Sequence, residues 1–116
     1  MEGVSDMADE YEYPTDEELS RITDWDILKE GVRPLIEYIQ SLWWMPEWGF
    51  VLRDGYTRWN RRHAKKLELH TGGWSGNESI IGALQQNWLF WSLFWEKSEV
   101  GGHYWFTIPM ESWEPR

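Results

Sequence analysis

The sequence predicts an α+β protein with N-terminal helices, an antiparallel sheet of about four to five strands, and one more helix after a glycine-rich loop. Three observations predict this class. Apolar residues recur at helical spacing before position 46, residues 50–71 and 88–108 are rich in strand-forming and aromatic residues, and a glycine-rich segment separates these two stretches. The length of 116 residues suits a single domain.

The N-terminal segment differs in composition from the rest of the chain. Residues 1–14 are acidic and show no periodicity, which predicts a disordered arm before a single domain formed by residues 15–116. Thr15 and Glu18 have the spacing of a capping box, in which each side chain bonds the other residue's backbone N–H. We therefore expect the first helix to begin at this point.

Further helix boundaries follow from capping residues and prolines. Asp24 is placed to cap a second short helix that runs through Lys29, and Gly31 suits its C-terminal end. Pro34 suits the first residue of another helix, which Pro46 would end.

The first strands are predicted from a turn signal and from alternation. Asp54 and Gly55 stand between two β-prone runs, which predicts a hairpin with a type I′ turn at these two residues. Residues 66–71 alternate between polar and apolar side chains, as in a half-buried strand.

The C-terminal part is predicted to close the sheet. Residues 88–95 (WLFWSLFW) favour a strand buried on both faces, although a continuation of the preceding helix also fits. Residues 98–102 form a turn, and residues 103–108 pair back as its hairpin partner until Pro109. We expect residues 111–116 to be frayed.

The glycine-rich loop at residues 71–78 (TGGWSGNE) is the first candidate binding element. Gly72, Gly73 and Gly76 leave backbone N–H groups uncovered before a helix N-terminus, where an anion such as phosphate is favoured. Ser75 is spaced from Glu78 as a second capping box. The alternative is a tight strand-to-helix turn capped by Ser75 or Asn77. The glycine spacing matches neither a Walker A loop nor a dinucleotide fingerprint.

Trp74 is the candidate stacking residue, because it lies between glycines in a loop where no regular face demands it. Its ring would stack on a base while the loop amides hold a phosphate, or it would act as a lid that plugs the end of the sheet. Five tryptophans stand at helical or strand spacing, and most of them are expected in the core: Trp43, Trp44, Trp88, Trp91 and Trp95.

The body of the chain has one basic cluster. Arg58 or Arg61 would act in it as a bidentate clamp on phosphate or carboxylate. The alternative is a solvated turn that pairs with the acidic arm. The cluster comprises Arg58, Arg61, Arg62, His63, Lys65 and Lys66.

The histidines have no metal-binding spacing, so neither a metal nor a cofactor is predicted. His70 and His103 each lie beside a Gly-Gly element on strands that would be neighbours, which allows a general acid–base pair; histidines hydrogen-bonded to the backbone are the alternative. Ser75 lacks the surroundings of a hydrolase nucleophile, because G-x-S-x-G is not completed. No catalytic residue is predicted.

Charge and composition exclude several classes of partner. The net charge of −9 resides in residues 1–30, which hold 11 acids and two bases, and the remainder is neutral, so no duplex nucleic acid is expected. The longest apolar run is too short to span a membrane. The absence of cysteine and of a signal peptide favours the cytosol.

Residues 71–78, the aromatic segment 90–95 and residues 101–104 (GGHY) resemble a family of small, largely uncharacterised proteins encoded by bacteriophages. The similarity covers about residues 50–108. The resemblance implies a phage origin and a setting in the host cytoplasm. It supplies no catalytic residues, and the acidic N-terminal portion lies outside it.

Together these features predict a non-catalytic phage accessory or counter-defence protein that captures a small phosphorylated or aromatic, nucleotide-like ligand. The alternative is an inhibitor or adaptor that binds a host protein through the acidic arm. The many aromatic residues also leave room for a homo-oligomer. The predicted ligand-binding residues are Gly72, Gly73, Trp74, Ser75, Gly76, Asn77, Arg58, Arg61, His70 and His103.

Overall fold

The computed structural model describes residues 13–114, which form seven helices and four strands. The helices are α1 (Asp16–Asp24), α2 (Ile27–Glu30), α3 (Val32–Leu42), α4 (Pro46–Gly49), α5 (Ser75–Gln86), α6 (Trp88–Phe94) and α7 (Met110–Trp113). The strands are β1 (Phe50–Tyr56), β2 (His63–His70), β3 (Trp95–Glu99) and β4 (His103–Pro109). The predicted α+β class is confirmed.

The four strands form one antiparallel sheet in the order β1-β2-β4-β3. The hairpins β1–β2 and β3–β4 are local in sequence, and the contact between β2 and β4 joins them. A register shift between Trp95 and Lys97 marks a bulge in β3. The turn after β3 falls within the predicted segment 98–102, and β4 confirms the strand predicted at residues 103–108, although it pairs with residues 95–99 rather than with the strand predicted at 88–95.

Helices cover one face of this sheet. Leu67 and Leu69 of β2 and Phe106 of β4 alternate toward that face and are fully buried. Helix α5 packs mainly on α1, and the buried side chains of α1, α3, α5 and α6 join the strand residues in a single apolar cluster. Burial of this cluster is the main source of stability for a domain of this size.

The opposite face of the sheet carries no fully buried side chain in the central part of its strands. Its residues are half-buried or exposed, and they are mostly polar or aromatic: Arg53, Lys66, Glu68, His70, Glu96, Lys97, Glu99, His103, Trp105 and Thr107. We refer to this set as the open face. It is the part of the fold on which side chains from all four strands meet solvent together.

The hairpin turn predicted at Asp54 and Gly55 is wrong. Gly55 lies within β1 and pairs with Ala64, and pairing continues to Tyr56. The turn is the longer segment 57–62, closed by a bond from the Thr57 N–H to the Arg62 carbonyl at 2.8 Å. Cross-strand pairing beyond the Asp-Gly dipeptide outweighs the local turn preference.

The strand predicted for residues 88–95 is also wrong, because a helix occupies all of it except Trp95. The Asn87 side chain caps this helix by accepting from the Phe90 N–H at 3.2 Å. Phe90 and Phe94 are four residues apart and both buried, as the helical period requires. An apolar run of this length has no periodicity that separates a strand from a buried helix.

Two of the predicted caps are confirmed and two are wrong. Thr15 and Glu18 form the capping box, and Gly31 ends α2 with φ +91°. The cap of α2 is Asp26 rather than Asp24, since Asp26 accepts from two backbone N–H groups of the first turn. Ser75 is not a cap, because it is the first residue of α5.

Two further boundaries differ from the prediction. Helix α3 begins at Val32, so Pro34 is its third residue rather than its first. Residues 110–113 are not frayed, because they form α7 and Trp113 is only 5% exposed. The predicted arm lies outside the described residues except for residues 13 and 14, as do residues 115–116.

Within residues 13–114, none of the helices has the length and apolar character needed to cross a membrane.

Candidate functional site

A pair of histidines lies at one end of the open face. His70 ends β2 and His103 begins β4, and the antiparallel register places them directly opposite each other. Their Nδ1 atoms are 2.7 Å apart, so one ring donates a hydrogen bond to the other. The prediction that these two histidines lie on neighbouring strands is therefore confirmed. The hydrogen bond between them joins the two side chains rather than a side chain and the backbone.

Glu68 extends this pair along β2. It stands two residues before His70, on the same face of the strand, and its Oε1 lies 3.3 Å from His70 Nε2. Its other oxygen accepts from an Arg53 N–H at 3.3 Å. A chain of side chains thus runs from Arg53 through Glu68 and His70 to His103.

Two tryptophans and a lysine surround the histidine pair. Trp48 of α4 is 55% exposed, and its ring centroid lies 6.3 Å from that of His70. Trp105 meets His70 edge-on at 5.8 Å, and Lys97 Nζ lies 4.5 Å from the centre of the Trp105 ring. The site therefore combines aromatic surface, cationic groups and imidazole nitrogens.

Glycines bring the neighbouring segments close to this site. A Cβ on Gly49 would lie 2.4 Å from the His70 carbonyl oxygen, so only glycine lets α4 approach the end of β2. Gly72, with φ +64°, lies beneath the Trp48 ring, at 3.0 Å from where its Cβ would be. Trp48 therefore stands over the glycine loop beside the histidines.

The β3–β4 turn is fixed to β2 in the same way. The Thr71 N–H donates to the Gly102 carbonyl at 2.9 Å, and a Cβ on Gly102 would lie 2.1 Å from Thr71 Oγ1. This close approach holds His103 beside His70. A Cβ on Gly101 would lie 3.1 Å from His103 Nε2, so the glycine leaves that nitrogen uncrowded.

Comparisons of the chain with protein-family models, curated proteins and solved structures found no match. The chemistry of the site itself therefore carries the functional argument. Imidazole, guanidinium and ammonium groups beside exposed indole surface suit a ligand with an anionic group and a ring.

The glycine-loop residues lie next to the histidine pair but differ from one another in accessibility. Gly72 and Gly73 form a turn with positive φ, Ser75 is exposed, and Gly76 is buried. Nothing lies within 4 Å of the position of a Cβ on Gly73. The exposed residues of the predicted loop are thus Gly72, Gly73, Ser75 and Glu78, and of its glycines Gly72 lies against the Trp48 ring.

Trp74 is part of the packed end of the domain. Its ring stacks on Trp44 with centroids 4.6 Å apart and contacts Tyr13 at 5.3 Å. Of the two interpretations of Trp74, this packing favours the lid that plugs the end of the sheet. The stacking surface beside the histidines belongs instead to Trp48.

Asn77 joins the start of α5 to the turn before α4. It is 1% exposed, accepts from the Trp44 N–H at 2.8 Å, and donates to the Trp44 carbonyl at 3.1 Å. Its donor also contacts the Thr71 carbonyl at 3.4 Å. These bonds give Asn77 a structural role, so it does not belong to the accessible part of the site.

Arg58 and Arg61 do not join the other predicted site residues. They lie in the turn before β2, whereas the histidine pair lies at the other end of this strand, about 24 Å away for eight residues. Arg61 packs on the Tyr56 ring at 5.2 Å, and Arg58 lines a cavity of about 300 Å³ with Trp59 and Trp95. Sequence proximity to β2 did not reveal which end of the strand they occupy.

Three other members of the basic cluster form ion pairs within the domain. Arg62 pairs with Glu111 at 3.0 Å, Lys65 with Asp54 at 2.7 Å, and Lys66 with Glu96 at 3.1 Å. The Lys65 ammonium lowers the pKa of the Asp54 carboxyl. Each of these three partners lies in the body of the domain.

Most of the tryptophans expected in the core lie partly or largely outside it. Trp43 is buried, Trp44 and Trp91 are half-buried, and Trp88 and Trp95 are exposed. Helix α6 turns Trp88 away from the core because Phe90 and Phe94 occupy the buried stripe.

Sequence reasoning missed Glu68, Trp48 and Trp105 as site residues. Alternation along β2 and β4 already places Glu68 with His70 and Trp105 with His103, so two of the three had a usable signal. Trp48 had none, because its position depends on how α4 packs on the end of β2. In the described part of the chain, no group of three or more metal-ligating side chains assembles.

Proposed function

We propose that the protein binds, without catalysis, a small phosphorylated, nucleotide-like ligand on the open face of its sheet beside His70 and His103. In this role it would act as a phage accessory or counter-defence protein that sequesters the ligand in the host cytoplasm. The phage setting rests on the resemblance of residues 50–108. The ligand class rests on the chemistry of the site.

The observation that carries the proposal is the hydrogen-bonded histidine pair, 2.7 Å between Nδ1 atoms, at a position where side chains of β2 and β4 meet solvent. Both side chains are only partly buried, so a ligand can reach the pair from solvent. Here neighbouring cations supply further donors: the guanidinium of Arg53 has five N–H groups, and the Lys97 ammonium has three.

The ring of the ligand would lie against Trp48. More than half of this side chain is exposed, at the mouth of the site and above Gly72. Stacking of a base on an indole contributes about 1–3 kcal/mol by alanine substitution. The phosphate would then reach the imidazoles, since Trp48 and His70 are in edge contact.

The test is calorimetry of the full chain with adenosine 5′-monophosphate and a panel of other nucleotides. We expect saturable binding that weakens about tenfold or more in Trp48→Ala, because a stacking contact of this size is lost. Trp59→Ala is the matched control, since Trp59 is 94% exposed at the other end of the sheet. Absence of saturable heat with every nucleotide would overturn the proposal.

The acidic arm supports a second candidate, binding of a host protein with a basic surface. Its specific support is the concentration of −9 in residues 1–30 of a chain whose remainder is neutral. Such a charge distribution accelerates association with a basic partner and loses its effect at high salt. Deletion of residues 1–14 separates the candidates, because it abolishes partner binding and leaves nucleotide binding unchanged.

A further inference from the structure

When both rings are neutral, the hydrogen bonds among Glu68, His70 and His103 determine which ring nitrogens carry hydrogens. A carboxylate only accepts hydrogen bonds, so His70 Nε2, at 3.3 Å from Glu68, carries a hydrogen. In the neutral ring His70 Nδ1 is then an acceptor, and the 2.7 Å bond requires that His103 Nδ1 donates. His103 Nε2 is therefore left without a hydrogen and with a free lone pair.

The hydrogen-bonded side chains of Glu68, His70 and His103 can accept a proton without losing either hydrogen bond. A proton added at His103 Nε2 makes that ring cationic, and the shared hydrogen can then move from His103 Nδ1 to His70 Nδ1. The positive charge thereby approaches Glu68, while both hydrogen bonds are kept. A second added proton would place hydrogens on both Nδ1 atoms and break the bond between the rings.

The groups around the pair accommodate this added charge. Glu68 on β2 and Glu99, which pairs with His103 on β3, supply negative charge on the same face. Arg53 and Lys97 supply positive charge, but each is associated with a carboxylate, Glu68 at 3.3 Å and Glu99 at 3.4 Å. The immediate surroundings of the pair are thus close to balanced before a ligand arrives.

We propose that the site selects phosphomonoesters, binding the doubly charged phosphate together with one proton taken up at His103 Nε2. This inference rests on the proposed function and names its ligand class more narrowly. A phosphomonoester dianion carries enough charge to stabilise the added proton through a charge-assisted hydrogen bond. A phosphodiester carries a single negative charge and favours that proton less.

The experiment is calorimetry with adenosine 5′-monophosphate in two buffers of different ionisation enthalpy, neither of them phosphate. The second pKa of a phosphomonoester is about 6. The pH is set well above this value, so that the proton comes from the buffer rather than from the ligand. We expect an uptake of about one proton per bound nucleotide, seen as a buffer-dependent enthalpy. Cyclic adenosine 3′,5′-monophosphate, a diester with the same base, should bind more weakly and take up a smaller fraction of a proton.

Variants assign the proton to its atom. His103→Gln should lose the proton uptake, whereas His63→Gln, which alters an exposed histidine at the far end of β2, should retain it. Nitrogen chemical shifts of the wild-type imidazoles give a second measurement that needs no variant. Without nucleotide, they should show that His103 carries its hydrogen on Nδ1. After the nucleotide is added, one of the two imidazole rings should carry hydrogens on both nitrogens.

The outcomes separate the two proposals. Binding of the monoester without proton uptake, or with an uptake that His103→Gln leaves unchanged, overturns the phosphomonoester inference and leaves the proposed function standing. Equal affinity and equal uptake for the monoester and the diester also overturn it. Absence of binding by any nucleotide overturns both.

Discussion

The backbone of Gly102 lies so close to Thr71 that a side chain at position 102 would overlap it. The turn places the Gly102 backbone at φ +83°, with Thr71 Oγ1 2.1 Å from the position of a Cβ. This contact lies directly beside the histidine pair. The position of His103 beside His70 thus depends on this contact between Gly102 and Thr71.

Gly102→Ala should lower the free energy of unfolding by about 2–4 kcal/mol, because the new methyl group overlaps Thr71 and the left-handed backbone is strained. Urea unfolding measures the change. Gly82→Ala is the matched control: Gly82 lies inside α5 with nothing within 4 Å of its Cβ position. It should raise stability by about 0.5–1 kcal/mol through helix propensity, and equal effects of the two substitutions would contradict the structural account.

The sequence predicted which two histidines lie together but not the residues that contact them. Gly-Gly elements beside His70 and His103 marked two turns, and turns bring strand ends together. The sequence predicted Arg58 and Arg61 in the same site because the basic cluster lies close to β2 along the chain. A strand is a rigid spacer, so residues before it and after it lie at opposite ends.

Among the elements, α6 is the one whose type the sequence did not determine. Its cap makes the difference: Asn87 is buried, and its amide donates to the Ile22 and Trp25 carbonyls at 2.9 Å each. Those acceptors come from residues more than sixty positions away. Only the folded chain brings this capping group into place, which explains why local periodicity favoured a strand.

Phe90→Ala and Trp88→Ala should therefore have very different effects on stability. Phe90 is fully buried and Trp88 is 73% exposed, although a strand would place both on one face. We expect a loss of about 3–5 kcal/mol for Phe90→Ala and of no more than about 0.5 kcal/mol for Trp88→Ala. Similar losses in thermal or urea unfolding would indicate a strand.

The bulge in β3 supplies a pH-dependent contact between strands. Glu96 accepts from Thr107 at 2.6 Å and pairs with Lys66 at 3.1 Å, and the Thr107 bond, followed by Lys66, lowers the pKa of the Glu96 carboxyl below its ordinary value of 4.5. A lowered folded-state pKa stabilises the protein above the unfolded value. That stabilisation is lost as the pH falls through the folded value.

Glu96→Gln should reduce stability by about 1–2 kcal/mol at neutral pH, through loss of a charge-assisted bond. The difference from the wild type should shrink as the pH falls below 4.5. Urea unfolding at a series of pH values checks this. Glu99→Gln is the control, because Glu99 is exposed and its ion pair with Lys97 should contribute less than about 1 kcal/mol. A difference for Glu96→Gln that is constant with pH would contradict the assignment.

Across the whole molecule, the C-terminal helix α7 closes the domain. Trp113 is buried, and Arg33 of α3 and Lys65 of β2 lie over its ring at 5.8 and 6.0 Å. No helical periodicity can be recognised in this part of the sequence, since the helix is only four residues long. Its contribution follows from tertiary packing alone.

Trp113→Ala should lower the free energy of unfolding by about 3 kcal/mol, within the range for buried aromatic residues. Chemical denaturation followed by circular dichroism measures the loss. Glu111→Ala, an exposed substitution in the same helix, should cost no more than about 1 kcal/mol even though it removes the pair with Arg62. A Trp113→Ala protein as stable as the wild type would mean that the C-terminus is frayed, as its sequence indicates.

The sheet ends in two edge strands, β1 and β3, whose outer backbone groups could pair with a strand of another molecule. In β3 the bulge interrupts the regular spacing of those groups, and Glu96, Lys97 and Glu99 place charge along a strand of only five residues. Irregular spacing and charge both oppose the stacking of identical strands that begins amyloid growth. The same bulge that positions Glu96 for the open face thus makes edge-to-edge pairing through β3 less favourable.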